Sequence, residues 1–182
     1  MQTKPFWSED FPRPTNLPVT TLPATAEVAI VGSGYTGLSA AISLAKAGVD
    51  VVVIEAETIG WGASSRNGGM MTTGLKDEMP GIFKQYGPEK GRIFWEWALA
   101  SVDFVEQTVA DEAIDCDFAR HGHLYLAYKP GHFKEMGEGV EWYARNLDYR
   151  DMWLVDKADL AQEIGSASYF GAIVDSRAAG LH

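Results

Sequence analysis

The chain has 182 residues, 46% of them hydrophobic, so it can bury a substantial core and global disorder is not expected. Its formal net charge of −10 argues against nucleic acid or an anionic membrane as a partner, because both would repel it. The single cysteine, Cys116, excludes an internal disulfide framework and is expected to be a small buried hydrophobe.

Residues 1–26 are predicted to form an extended arm, since they show no helical period. Five prolines account for this: Pro5, Pro12, Pro14, Pro18 and Pro23. Phe6, Trp7 and Phe11 are expected to pin the arm onto the folded body. The first ten residues lack the cationic start and apolar core of a leader, and no apolar run reaches membrane-spanning length. We therefore expect a soluble, cytoplasmic protein.

The stretch from Val28 to Glu55 reads as a strand, a glycine turn, a helix and a second strand. Residues 28–31 and 51–54 are short β-branched runs, typical of buried parallel strands. Between them, an apolar stripe at helical spacing predicts a helix that stops at Ala47-Gly48.

Gly32, Gly34 and Gly37 have the G-x-G-x-x-G spacing. The first glycine allows a tight turn, the second lets a pyrophosphate approach the backbone, and the third lets helix and strand pack closely. Glu55 stands at the end of the second strand, where a carboxylate can accept hydrogen bonds from both hydroxyls of a ribose. The helix N-terminus offers N–H groups to phosphates. The pattern therefore favours adenine-dinucleotide binding over a purely structural βαβ unit.

The run G-W-G-A-S-S-R-N-G-G-M-M, from Gly60 to Met71, is predicted to be a backbone-led loop that opens a short helix at Ser64-Ser65. Such loops can approach anionic or planar ligands. Arg66 could serve a phosphate or a carboxylate, and Asn67 offers both a donor and an acceptor. The alternative is a flexible surface loop.

Helical periodicity predicts a helix over residues 88–114, in which Trp95 and Trp97 serve core packing. A strand is predicted over 120–128; it places His121 and His123 on one face, but no third ligand accompanies them and no metal site is predicted. Three further elements are predicted: a helix over 133–147, a short helix over 156–164 and a strand over 169–174.

No closing element is predicted at residues 178–182, and only two parallel strands of a nucleotide-binding sheet are present. A doubly wound sheet needs more strands, because two leave its edges exposed. We therefore expect an N-terminal portion of a larger protein, which self-associates or pairs with a C-terminal complement.

The motifs G-S-G-Y-T-G-L-S-A-A and G-W-G-A-S-S-R-N-G-G, with Glu55 between them, resemble the FAD-dependent amino-acid and amine oxidoreductases of the D-amino-acid oxidase-like family. The sequences of residues 35–39 and 66–69 most resemble those of the gamma-glutamylputrescine oxidase branch. Gly122 to Ala127 resembles the first substrate-domain strand, and residues 180–182 resemble the point where such chains return to the flavin domain. Ser33 and Ser65 stand where relatives often have glycine.

The resemblance implies an α/β fold, in which a Rossmann-like FAD-binding βαβ unit with an incomplete sheet precedes the beginning of an α+β substrate domain. It implies an arm over residues 1–26, the N-terminal part of the FAD-binding domain with a connecting helix over 27–117, and the start of the substrate domain over 118–182. Tyr35 and Thr36 would lie over the pyrophosphate, Ala63 and Ser64 would contact phosphate or ribityl groups, and residues 66–70 would run beside the isoalloxazine ring. The expected cofactor-binding residues are Gly32, Gly34, Tyr35, Thr36, Gly37, Glu55, Ala56, Gly62, Ala63, Ser64, Arg66, Asn67, Gly68, Gly69 and Met70.

The resemblance further implies oxidation of the C–N bond of a small amine or amino acid, with hydride passing to the flavin and water hydrolysing the imine. No residue is singled out as an acid or base. Two alternatives remain open at this point: an NAD-dependent dehydrogenase, and a non-catalytic subunit or remnant that folds only with a partner chain.

Overall fold

Trp7, Phe11 and residues 21–182 are described by the structure, which is a computed structural model. The chain divides into two units, residues 1–68 and residues 69–182. Most of the predicted arm, including Phe6 and the first four prolines, lies outside the described residues. The functional division predicted after residue 117 remains a prediction.

The first unit contains the predicted strand, helix and strand. β1 spans Val28–Val31, α1 spans Tyr35–Lys46 and β2 spans Val51–Ile54. The two strands are parallel and in register from Val28 opposite Val51 to Val31 opposite Ile54. The glycine at the predicted helix stop, Gly48, has φ of +80°, which lets the chain turn toward β2.

Within the described residues, β1 and β2 pair only with each other. Val31 at the end of β1 is 87% exposed, and α1 has no buried residue. These apolar elements therefore remain partly exposed to solvent in the described part of the chain. Strands of this composition are ordinarily covered on both faces.

The second unit contains one helix of 33 residues, two shorter helices and two small sheets. Its elements are β3 (Met70–Met71), α2 (Met79–Asp111), β4 (His123–Leu126), α3 (Pro130–Leu147), β5 (Met152–Asp156), α4 (Leu160–Glu163), β6 (Gly171–Asp175) and β7 (Ala179–Gly180). An antiparallel sheet has the order β4-β6-β5, and β3 pairs antiparallel with β7. α3 packs on β5 and β6.

α2 begins nine residues before the predicted start at Pro88, at Met79. Gly87 has φ of +82° and divides it into two helical segments, so Pro88 does open a helical turn, that of the second segment. The first segment contains Gly81, and because glycine is a poor helix former the sequence did not predict a helix there. Trp95 is buried as predicted, whereas the prediction for Trp97 was wrong, because its side chain is 67% exposed.

The predicted helix over 133–147 and the predicted strands over 120–128 and 169–174 are confirmed as α3, β4 and β6. β5 was not predicted. Asp156, the first residue of the predicted short helix, is instead the last residue of β5, and α4 follows only after Asp159. A short closing strand, β7, also exists at residues 179–180, where none was expected. Its small residues carry no alternating pattern, and its partner β3 is distant in sequence.

The predicted histidine pair does not form a face of β4, since His121 precedes the strand and His123 is its first residue. Among the described residues, no group of three or more His, Cys, Asp or Glu side chains could hold a metal ion. Cys116 is buried as predicted, and burial raises the pKa of its thiol. No helix in the described part of the chain has the length and apolar character needed to cross a bilayer.

A buried carboxylate joins three segments of the second unit. Asp175, at the end of β6, is fully buried. It accepts a hydrogen bond from the Tyr149 hydroxyl at 2.6 Å, another from the backbone N–H of Arg177 at 3.1 Å and a short one from the Thr73 hydroxyl. Tyr149 in turn packs edge-on against Trp95, with ring centroids 4.8 Å apart. The carboxylate is thereby compensated by donors from distant parts of the chain.

We expect Tyr149→Phe to lower the free energy of unfolding by about 1–3 kcal/mol, because it leaves a buried carboxylate without one of its donors. Urea denaturation measures this. The matched control is Tyr86→Phe on an exposed ring, which is expected to leave stability within about 0.5 kcal/mol. Equal stability of the Tyr149→Phe and parent proteins would contradict this role.

Candidate functional site

The glycine turn after β1 is shaped by one close approach of backbone to backbone. A Cβ atom built on Gly37 would lie 2.1 Å from the carbonyl oxygen of Gly32, a distance that no side chain permits. Gly32 itself has φ of +96°, and its N–H donates to the carbonyl oxygen of Ile54 at 2.8 Å. The turn is therefore held against the end of β2, and its first and third glycines have the roles predicted from the motif.

The first turn of α1 follows directly from this turn. Gly34 is its N-cap and supplies no side-chain cap, and no acidic residue lies in the first turn. The N–H of Tyr35 donates to the Ser64 hydroxyl at 3.0 Å. A neutral hydroxyl thus occupies a position where an anionic oxygen would be favoured by the helix dipole.

Glu55 lies beside the glycine turn, at the end of β2. Its Oε2 accepts hydrogen bonds from the hydroxyl and the N–H of Ser33, at 2.6 and 2.9 Å, and its Oε1 accepts the N–H of Glu57 at 3.1 Å. These bonds, with that from the Ser33 hydroxyl the largest, lower the pKa of Glu55 to about 2. The carboxylate is therefore ionised at neutral pH.

Ser33 is the residue of this site that sequence reasoning missed. It occupies the variable position of the glycine motif and was noted only as a substitution for glycine. The signal that could have found it is the combination of a hydroxyl in the turn and a carboxylate at the end of the adjacent strand.

Stacking and hydrogen bonds of its own side chains stabilise the loop after Glu55. The Arg66 guanidinium lies over the Trp61 ring, 4.3 Å from its centroid, and its Nε–H donates to the Trp61 carbonyl oxygen at 2.9 Å. The Asn67 amide donates to the carbonyl oxygen of Ser64 at 3.0 Å, and the Asn67 carbonyl accepts the indole N–H of Trp7 at 2.7 Å. That last bond supports the predicted anchoring of the arm for Trp7.

The short helix predicted at Ser64-Ser65 is present as a 3-10 turn over Ala63–Ser65, opened by Gly62. Ser65 is not among the residues with positive φ, so the backbone at this position does not require the glycine that the resemblance led us to expect. Ala56 follows Glu55 directly and is exposed, and Gly68 is the last residue of the first unit.

The structure thus brings the glycine turn, Glu55 and Ser64 together within the first unit. The last two predicted site residues, Gly69 and Met70, belong to the second unit. There the Gly69 carbonyl accepts the N–H of Leu181 at 2.9 Å, and Met70 pairs with Gly180. Gly69 has φ of +69°, a conformation that favours glycine.

The first unit combines three properties that suit an anionic dinucleotide. Side-chain atoms are absent where the turn is tightest, the first helical turn is free of acidic residues, and an ionised carboxylate able to accept hydrogen bonds from hydroxyls lies beside the turn. The residues present therefore fit the adenosine and pyrophosphate portion of such a cofactor.

Comparison with known proteins covers most of the chain. Residues 27–182 match the family described as FAD dependent oxidoreductase. A probable oxidoreductase, OrdL, of Haemophilus influenzae is 34% identical over 157 residues, covering 86% of this chain and 36% of that protein. The gamma-glutamylputrescine oxidoreductase of Escherichia coli is 35% identical over 158 residues, covering 87% of this chain and 37% of that protein.

Among solved structures, the L-amino acid deaminase from Proteus vulgaris superimposes with a TM-score of 0.64 at 18% identity, covering 89% of this chain and 36% of that chain. That likeness is one of fold. The chain spans just over a third of the length of the two curated relatives. Because the family match covers residues 27–182, the chain belongs to the FAD-dependent oxidoreductase family, and FAD is its cofactor.

Proposed function

We propose that this chain is the N-terminal portion of an enzyme that uses FAD to oxidise the C–N bond of a small amine or amino acid. The observation that carries the proposal is the ionised Glu55 held beside a glycine turn in which Gly37 leaves no room for a Cβ, within a chain of this family. The relative named gamma-glutamylputrescine oxidoreductase supports an amine substrate.

The adenosine half of FAD would be held by the first unit. Glu55 would accept ribose hydroxyls, and the N–H groups at the start of α1, at Tyr35 and Thr36, would face the pyrophosphate. The Ser64 hydroxyl accepts the Tyr35 N–H and could donate its own O–H to a phosphate oxygen. Ala56, Gly62 and Ala63 would line this half through their backbone.

The flavin half would lie along residues 66–70. Arg66 is stacked on Trp61 and bonded through Nε, so its two terminal nitrogens remain the donors suited to an anionic group. Asn67 keeps its loop in place through bonds to backbone carbonyl oxygens. Gly68 and Gly69 present little side chain to a planar ring.

When bound, FAD supplies the hydride acceptor of this family of reactions. The residues of this chain bind and orient it; none of them is assigned as a general acid or base. An NAD-dependent dehydrogenase is disfavoured by the family match and by the loop, which contains a 3-10 turn rather than a crossover helix soon after β2. A yellow colour with flavin absorbance in the purified protein would test this choice directly.

A cytoplasmic location, and partners limited to small molecules and the chain's own complement, remain part of the proposal. The net charge of −10 supports the exclusion of nucleic acid. The location is inferred from the amino-acid sequence.

Glu55→Ala is expected to weaken FAD binding by about ten- to a hundredfold, because charge-assisted hydrogen bonds to the ribose are lost. Flavin release from the complete protein, meaning this chain continued by its C-terminal complement, measures the effect. Glu135→Ala, on the exposed side of α3, is the matched control and is expected to retain parental affinity. An unchanged affinity in Glu55→Ala would remove Glu55 from the site.

The stability of the FAD-free protein should also depend on Glu55 at acidic pH. The pKa of Glu55 is lowered in the folded state, so its stabilising contribution is complete above the ordinary value of 4.5 and is lost as pH falls toward about 2. Denaturation curves of the parent and Glu55→Gln proteins should therefore converge over that window. Parallel pH profiles of the two proteins would contradict the assigned hydrogen bonds.

The chain by itself should bind FAD weakly and should not oxidise amines, since its strands β1 and β2 lack further strand partners among the described residues. Self-association is expected, because exposed apolar strand ends such as Val31 favour it. Adding the C-terminal complement should restore yellow colour and turnover together. A stable monomer of the chain that turns over amines with FAD would overturn the proposal that the chain is a portion.

A further inference from the structure

Ser33 is the residue on which the glycine turn, Glu55 and the following loop converge. Its side chain is 2% exposed. The hydroxyl donates to Glu55 Oε2 at 2.6 Å and accepts the N–H of Gly60 at 3.1 Å, so both its donor and an acceptor site are used. The backbone N–H of Ser33 donates to the same Glu55 oxygen at 2.9 Å.

We propose that Ser33 is a positioning residue for FAD. Its hydroxyl bonds both Oε2 of Glu55 and the N–H of Gly60, and it thereby orients the carboxylate to accept the hydroxyls of the cofactor's ribose. This inference rests on the proposed function, since it requires Glu55 to bind FAD. Ser33 acts through Glu55 and is not itself assigned a contact with the cofactor.

Both hydrogen bonds from Ser33 go to the same oxygen of the carboxylate, so the two oxygens of Glu55 have different surroundings. Oε2 is engaged by two short bonds, whereas the bond from the Glu57 N–H to Oε1, at 3.1 Å, is longer than either. A carboxylate has about four acceptor positions, so one anchored oxygen still leaves capacity for ribose hydroxyls at the other. An anchored side chain also loses less rotamer freedom when the ligand arrives.

A glycine or alanine at this position would retain only the backbone bond to Glu55. The hydroxyl bond is the main cause of the lowered pKa of Glu55, which agrees with the geometry. The charged group nearest along the loop is Glu57, which contributes its backbone N–H, and the first turn of α1 contributes no acidic residue. The hydroxyl of Ser33 is therefore the specific addition that this sequence makes to the motif.

The first experiment measures FAD dissociation constants by flavin fluorescence in the complete protein. Ser33→Ala is expected to raise the constant on the order of tenfold, as for the loss of a hydrogen bond to a charged group. Ser43→Ala is the matched control, because the Ser43 hydroxyl bonds the Ser39 carbonyl on the exposed side of α1. It is expected to leave the constant unchanged.

A double-mutant cycle separates positioning from a general effect on folding. If Ser33 acts through Glu55, then Ser33→Ala should cause no further loss in a protein that already carries Glu55→Ala. A tenfold loss in both backgrounds would overturn the proposal, since it would show that Ser33 supports FAD binding without Glu55.

A second readout needs no FAD. In the FAD-free protein, titration of the Glu55 carboxyl followed by carbon-13 NMR should shift to higher pH in Ser33→Ala and stay in place in Ser43→Ala. An unchanged titration, or unchanged FAD affinity in Ser33→Ala when the parent protein binds FAD, would overturn the role of Ser33 alone. Failure of the parent protein to bind FAD would instead overturn the proposed function, and the proposal with it.

Discussion

The close approach of Gly37 to the Gly32 carbonyl oxygen is the constraint on which the first unit depends. With 2.1 Å between that oxygen and a hypothetical Cβ, only a glycine lets α1 start so near the end of β1. The helix N-terminus is thereby brought to the same edge as the end of β2, where Glu55 stands. At this edge the Ser33 hydroxyl donates to Glu55, and the Tyr35 N–H donates to the Ser64 hydroxyl.

The elements that were predicted from sequence are those whose signal is local. β1 and β2 are continuous runs rich in β-branched residues, and α1 and α3 have apolar residues at helical spacing within their own spans. Two of the features that were missed depend on distant partners. β7 exists through pairing with β3, and the buried Asp175 meets Thr73 although 102 residues separate them. Such pairings leave no periodicity in either segment, and short strands of small residues have none of their own.

The same division holds for the candidate site. The three glycines and Glu55 follow a spacing whose physical reasons are known, so residue identity alone located them. Ser33 was passed over because the motif treats its position as free, and the role of a side chain there depends on what lies 22 residues later. The stacking of Arg66 on Trp61 depends on the 3-10 turn between them, which only the folded loop defines.

An acidic chain that binds an anionic dinucleotide needs its charges to be separated within the site. A net charge of −10 acts at long range and is screened over about 8–10 Å in physiological salt, whereas N–H groups at the start of α1 act at contact distance. No acid lies in the first turn of that helix, and Glu55, at the end of β2, would meet the hydroxyl donors of the ribose in the proposed site. In the proposed site, the hydrogen bonds from Ser33 would keep the negative charge of Glu55 at the ribose end. The phosphate end would then meet the helix dipole and the Ser64 hydroxyl, so the overall acidity of the chain would not oppose binding there.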